Sequence, residues 1–431
     1  MGNYLKHFCF SLLSCLLILN ATTAFANPGD PDFSFGFLGV AVDHDDLHDR
    51  EAVRVIQQAD GKFLVVGSWL PWGPQPPGPA GWVLLRRYNS NGSVDVHFGL
   101  SGYGVERLYP SVVEVYGSAT DVALQPDGKI LVAGQDHLSR PTLWRYTTYG
   151  ELDDKFGQDG IVTLSNSQCL FVTVIAAGGR IILGIFETNT GKGKLIRLNP
   201  DGSIDPAFGV AGSVPVTIHL PEHTPLAINY WTGELVVGGS VVSGAELVPA
   251  LQYFTFNGQY DTNHGPNGIA SIPHSAFCFS LSSPYVMKPI GFNSLFFQPD
   301  GKIVAGGFVK NYYDGACFTA SCYGNSVIRI TTNDQLDTTF GSNGLAASCN
   351  GRLGFHSPRL EPASNSRTFA LLGGSVNAGA PSGFVRYTSN GSQDLSIKDR
   401  PFNFLSQTAD WKIVTVSTDD NGDIRLKRFL P

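Results

Sequence analysis

Val122-Ala123-Leu124-Gln125-Pro126-Asp127-Gly128-Lys129-Ile130-Leu131-Val132-Ala133-Gly134 sets two apolar runs about an Asp-Gly turn. That spelling is a strong hairpin signal, and it predicts a type I′ turn with positive φ at both central residues. The hairpin recurs at Asp60-Gly61-Lys62 and Asp300-Gly301-Lys302, with degenerate copies at Gly178-Gly179-Arg180, Thr232-Gly233-Glu234, Ser366-Arg367 and Asp410-Trp411-Lys412, so seven units are expected. Outward from it, a third run carries Arg before an aromatic or aliphatic residue: Arg87-Tyr88, Arg145-Tyr146, Arg197-Leu198, Arg329-Ile330, Arg386-Tyr387 and Arg428-Phe429. A turn residue, usually Gly, follows five positions after the Arg, and Asp-x-x-Phe-Gly comes next, as at Asp153-Asp154-Lys155-Phe156-Gly157. A fourth run, such as Gly160-Ile161-Val162-Thr163-Leu164, completes the unit. Four strands per unit make a propeller blade, and apolar second strands suit sheets covered on both faces.

One copy of the motif is out of place. Asp32-Phe33-Ser34-Phe35-Gly36 precedes the first full unit, while the last unit stops at Arg428-Phe429-Leu430-Pro431, where a copy should follow. The expected fold is therefore an all-β, seven-bladed β-propeller of four-stranded blades, closed by an N-terminal strand that completes the last blade. Residues 39–42 should pair beside residues 424–428, and Asp32 should approach Arg428 as Asp95 approaches Arg87.

These motifs resemble the delta-60 repeat family, β-propeller repeats of bacterial, mostly exported proteins. The match is closest over residues 125–134, 298–306 and 199–209 and extends over nearly all of the chain after residue 26. The resemblance implies fold and export, and it supplies no catalytic residues. Two units depart from the pattern: the fourth has Tyr253 for Arg and His264 for Phe, and the sixth has Ile397-Lys398 for Phe-Gly. Those blades are expected to be irregular. The Arg and Asp that recur once per unit read as scaffold, paired across a turn, with Phe packed between blades.

Residues 1–26 read as a signal peptide: Lys6, an apolar run over residues 8–19, then Ala24-Phe25-Ala26 as a cleavage site, leaving Asn27 as the mature start. The run is shorter than the roughly 20 residues that a membrane span needs, so no transmembrane segment is expected and the product is secreted or periplasmic. Residues 27–431 form one domain, because the repeat overrides the length. Fifty Gly, 26 Pro and 15% charged residues suit short strands and tight turns. The formal net charge of −7, or −8 once Lys6 is removed, gives no electrostatic case for nucleic acid. Removal of Cys9 and Cys15 leaves five cysteines, of which Cys317 and Cys322 are the disulfide candidate; Cys278 with Cys349 would leave Cys169 free.

Loops that join second to third strands, and each unit to the next, share one face and hold all the long insertions. Function is expected there. Trp72 and Trp82 bracket a Pro-rich loop that is either a stacking platform for sugar or peptide or, as favoured, a loop folded on its own tryptophans. Tyr312, Tyr313 and Tyr323 surround Cys317 and Cys322, again a ligand contact or a self-packed tip. Asp43, His44, Asp45 and His48 have the chemistry of a divalent metal site, although a solvated loop is favoured. Asp419, Asn421 and Asp423 only imitate a calcium loop, and Pro221 within His219-Leu220-Pro221-Glu222-His223 argues against a zinc helix. The reading is an exported binding or interaction module with an unknown protein or glycan ligand, monomeric and needing no cofactor. The alternative is a propeller enzyme, a lyase, lactonase or glycosidase, with ionisable residues from several blades meeting at the mouth of the central channel.

Overall fold

The computed structural model describes residues 27–44, 48–71, 81–99, 117–164, 168–187, 192–220, 225–244, 246–272, 285–313, 323–342, 344–348, 360–362, 368–372, 382–399, 404–407, 412–418 and 423–430. The signal-peptide reading of residues 1–26 lies outside them, as do Trp72, Asp45, Cys317 and Cys322.

The fold is all-β and propeller-like, a series of antiparallel sheets, each formed from consecutive strands except at the chain ends. Strand β1 (Val40–Asp43) precedes the first sheet, which is β2 (His48–Gln57), β3 (Phe63–Pro71) and β4 (Trp82–Tyr88). The second is β5 (Gly117–Leu124), β6 (Ile130–Asp136), β7 (Pro141–Tyr146) and β8 (Ile161–Thr163). The third is β9 (Cys169–Ala177), β10 (Arg180–Glu187), β11 (Lys192–Leu198) and β12 (Ser213–Val216). The fourth is β13 (Leu226–Ile228), β14 (Leu235–Ser243), β15 (Glu246–Phe254) and β16 (Ile269–Ser271). The fifth is β17 (Tyr285–Phe297), β18 (Ile303–Tyr313), β19 (Tyr323–Ile330) and β20 (Leu345–Ser348). The sixth is β21 (Leu360–Pro362), β22 (Thr368–Leu372), β23 (Ser382–Tyr387) and β24 (Gln393–Asp399). The last is β25 (Phe404–Gln407), β26 (Ile413–Thr418) and β27 (Ile424–Phe429), with β1 added beyond β27. The added strand pairs Val40 with Lys427 and Asp43 with Ile424, and Arg428 Nε donates to Asp32 Oδ2 at 2.7 Å.

Apolar side chains from consecutive sheets fill the space between them. Leu64, Val66 and Leu85 of the first sheet meet Ile130, Val132 and Trp144 of the second, and Phe35, Val414 and Leu426 of the last meet Phe63, Val65 and Leu84 of the first. This two-sided cover explains why second strands lack alternation. The glycine at the fifth position of the second strand is fixed by the strand before it, which bulges at that level in the first, second and fifth sheets. A Cβ on Gly67, Gly134 or Gly307 would lie 1.9–2.0 Å from that strand's carbonyl oxygen.

The hairpin turn is not the type I′ form expected. Gly128 has φ +82° but Asp127 is not in the positive region, and Gln125 and Lys129 close the turn by Gln125 N–H to Lys129 O at 2.9 Å. Loop length is the reason: three residues lie between Gln125 and Lys129, and a three-residue hairpin takes a type I turn followed by one left-handed residue, here Gly128. The first unit closes the same way with Ala59 where Pro126 stands, Gln58 N–H meeting Lys62 O at 2.8 Å. Asp127 Oδ1 then accepts from Lys129 N–H at 3.2 Å. In the sixth unit, β24 follows the turn directly, and the link that is Asp-x-x-Phe-Gly elsewhere is drawn into the strand.

Candidate functional site

The repeated charges form one device, found at five junctions among the described residues. In the second unit Arg145 Nε and Lys129 Nζ meet Asp153 Oδ2 at 2.8 and 2.9 Å, Asp153 Oδ1 accepts from Lys155 N–H at 3.2 Å, and the guanidinium lies 4.3 Å over the Phe156 ring. Arg145 also donates to the carbonyl of Pro200, in the turn of the next unit. Arg87 with Asp95, Lys62 and Thr148 repeats this, as do Arg197 with Asp205, Arg180 and Phe256, and Arg329 with Asp337, Lys302 and Ser389. Across the chain ends it is Arg428 with Asp32, Lys412 and the Ser90 carbonyl. Burial alone would raise the Asp95 and Asp153 carboxyls, but Lys62, Lys129 and the arginines hold them below the usual value. With both carboxylate oxygens engaged, these groups serve the scaffold and leave little for a ligand.

The turn residue five positions after the Arg belongs to the same device. A Cβ on Gly92, Gly150, Gly202, Gly258 or Gly391 would fall 2.7–3.0 Å from the Phe ring of the preceding unit's Asp-x-x-Phe-Gly. Gly is needed because that ring lies on it.

At the fourth unit the device is rebuilt. Glu234 stands at the Lys position, Tyr253 at the Arg position and His264 at the Phe position, and in the next unit Asp334, at φ +59°, replaces the turn Gly. His264 stacks flat on Tyr253, with ring centroids 3.7 Å apart and 11° between planes. Its Nδ1 meets Asp334 Oδ2 at 2.7 Å and its Nε2 meets Glu234 Oε1 at 2.8 Å. Burial disfavours the imidazolium, but the hydrogen bonds and charges of Asp334 and Glu234 outweigh it and push the His264 pKa up to about 10. The phenol of Tyr253 is raised well above its usual range by burial and the same two carboxylates. Asp334 Oδ1 is buried and accepts no hydrogen bond among the described residues. Asp261, the unit's repeat Asp, has a carboxylate oxygen within 4.8 Å of the ligand atoms of both Glu234 and His264. Sequence reading noticed Tyr253 and His264 only as irregularities. The missed signal was Asp334, a non-glycine at the turn position of the unit that faces His264.

The residues singled out from sequence fall at the opposite ends of the strands. Trp82 opens β4, half-buried against the cluster that holds Phe63 and Tyr88. Tyr312 and Tyr313 end β18, paired in register with Val286 and Tyr285, and Tyr323 opens β19 opposite Lys310. His48 opens β2 opposite Pro71. Asp43 is buried and receives Arg86 Nε at 2.8 Å, Arg86 Nη2 at 3.0 Å and the Tyr88 hydroxyl at 2.8 Å, while the neighbouring His44 is exposed and its Nδ1 meets Asp423 Oδ2 at 2.7 Å. The structure thus gives Asp43 and His44 separate partners. Cys169 is free and buried, and burial pushes its thiol up to about 12. On the innermost strands, Arg54 Nε donates to Asp121 Oδ1 at 2.7 Å and Val174 N–H to Asp121 Oδ2 at 3.0 Å, so this charged pair ties three sheets together.

A family model described as "Domain of unknown function (DUF5122) beta-propeller" matches residues 125–156, 179–208 and 298–340. Each segment begins at a hairpin turn and ends at the Phe of Asp-x-x-Phe-Gly, Phe156, Phe208 or Phe340. No curated protein matches the sequence. Among solved structures, the chain resembles the polysaccharide lyase Uly1 (10% identity, 88% of this chain and 90% of that one, TM-score 0.47). It also resembles Chaetomium thermophilum Sqt1 bound to the N-terminus of the ribosomal protein L10 (13% identity, 93% and 99%, TM-score 0.45). A third is the PQQ-bound aldose sugar dehydrogenase of Streptomyces coelicolor (12% identity, 80% and 97%, TM-score 0.40). At such identities and scores these likenesses carry no functional argument.

Proposed function

We propose that the chain is an exported, monomeric binding module, a ring of seven delta-60-type blades closed by β1, with its ligand on the loop face opposite the Asp-x-x-Phe-Gly links. One contrast carries this reading. At five junctions of the link face the repeated charges are taken up by one another, whereas at the other end the strands run to unequal lengths: β17 and β18 pair out to Tyr285 and Tyr313, while β5 and β6 stop at Gly117 and Asp136. A constant end and a varied end suit a scaffold that presents a surface. Among the described residues no helix is long and apolar enough to cross a membrane.

The test is a binding screen of the chain from Asn27 against glycan and protein arrays, followed by Trp72→Ala and Tyr313→Ala. Loss of binding in folded loop variants supports the reading. Binding that depends on the link-face residues instead, or turnover of a bound glycan, overturns it, the latter in favour of the enzyme alternative. Mass spectrometry of exported protein should find Asn27 at the N-terminus; a stable cytoplasmic product that starts at Met1 contradicts export.

A further inference from the structure

Asp261 holds in the fourth unit the place of Asp32, Asp95, Asp153, Asp205 and Asp337. In those five units Oδ2 accepts from an Arg Nε at 2.7–2.9 Å and from a second Lys or Arg at 2.8–3.1 Å. Both cations are absent in the fourth unit, replaced by Tyr253 and Glu234. Asp261 keeps only its turn contact, Asn263 N–H to Oδ1 at 3.1 Å, and Oδ2 accepts no hydrogen bond among the described residues. A position that is doubly cation-bound in every regular unit therefore faces an added carboxylate and an imidazole.

We propose that Glu234, Asp261 and His264 bind a divalent transition-metal ion of the zinc type, which takes the place of the two missing cations. One imidazole with two carboxylates is a borderline donor set that suits zinc, and three protein ligands leave a position for water. Asp334, 2.7 Å behind Nδ1, keeps a proton on that nitrogen, so the metal ion displaces to solvent only the Nε2 proton that now meets Glu234, which gives the arrangement in which a carboxylate orients a metal-bound histidine. Tyr253 holds the ring plane from below. The side chains of His264 and Glu234 are 16% and 18% exposed, enough for an ion to enter a largely dry site. Tetrahedral zinc sets its ligand atoms about 3.3 Å apart, so Nε2 and Oε1, now at 2.8 Å, need to separate by only about half an ångström.

The experiment is calorimetric titration of the chelator-treated full chain with zinc, with cobalt as an optical probe of an imidazole-containing site. The expected result is one equivalent bound, with affinity reduced at least about 100-fold in the near-isosteric Glu234→Gln and in Asp261→Asn, and about 10–100-fold in Asp334→Asn. Glu234→Lys returns the cation of the repeat to Asp261 and should abolish binding while the protein stays folded. No saturable binding by the parent chain, or one equivalent retained by Glu234→Gln and Glu234→Lys, overturns the proposal.

Discussion

In the second unit Arg145 lies over Phe156, neutralises Asp153 with the help of Lys129 and reaches the backbone of the third unit. In the fourth, His264 lies over Tyr253, meets Glu234 and reaches the Asp334 side chain of the fifth unit. Both are a cation on an aromatic ring that clips one unit to the next, but the cation and the ring have exchanged places along the chain. The second clip also leaves its repeat Asp without a cation. What the framework demands of a junction is a filled ring slot and a charge link across it; several residue sets satisfy that, provided that they change together.

The comparison can be broken hardest where the regular clip spans the chain ends. Deleting residues 27–43 removes Phe35, Asp32 and the strand paired to β27, leaving Arg428 buried without its carboxylate and an open sheet edge. The expected cost exceeds about 5 kcal/mol, with association of the exposed edges, read by thermal melting and size-exclusion chromatography. A deletion variant as stable as the parent and no more prone to associate would refute closure. Next, Phe156→Ala empties one regular ring slot and should cost about 3 to 5 kcal/mol in chemical denaturation.

Acid and alkali should separate the two clips. Asp95, Asp153 and Asp205 have folded-state carboxyl values below the ordinary 3.8, so their stabilisation is present above that value and is lost as pH falls through the folded values. His264 is raised from 6.5 to about 10, so its stabilisation is full below 6.5 and is lost as pH rises toward 10. In chelator, the parent should melt lower at pH 10 than at pH 7, and the double variant His264→Phe/Asp334→Gly should lose most of that decline. The smallest effect is expected at the loop end: Trp72→Ala and Tyr313→Ala should change stability by no more than about 0.5 kcal/mol, while a ligand found in the screen is lost.

The hairpins, the Arg-to-Asp spacing and the split motif at Asp32 were legible because each is repeated, so that one copy explains another. The turn type departs from expectation because Asp-Gly was read as a two-residue loop, whereas the pairing of Gln125 with Lys129 makes it a three-residue one, with a single left-handed residue at Gly128. The fourth junction was not legible for a different reason. His264 and Asp334 are 70 residues apart in the chain and belong to different units, so each looks like a lone defect until packing puts them 2.7 Å apart. Asp43 was similarly opaque, since its partners Arg86 and Tyr88 arrive from another sheet.

A double-mutant cycle between positions 264 and 334 tests most directly whether the fourth junction is a coordinated replacement. His264→Phe alone should set a ring against the Asp334 side chain, Asp334→Gly alone should leave Nδ1 unpaired, and the two together restore the Phe-on-Gly contact of the other junctions. The account predicts two destabilised single variants and a double variant close to the parent, a coupling of about 2 kcal/mol or more. Additive losses, with the double variant as unstable as the sum of the singles, would contradict it.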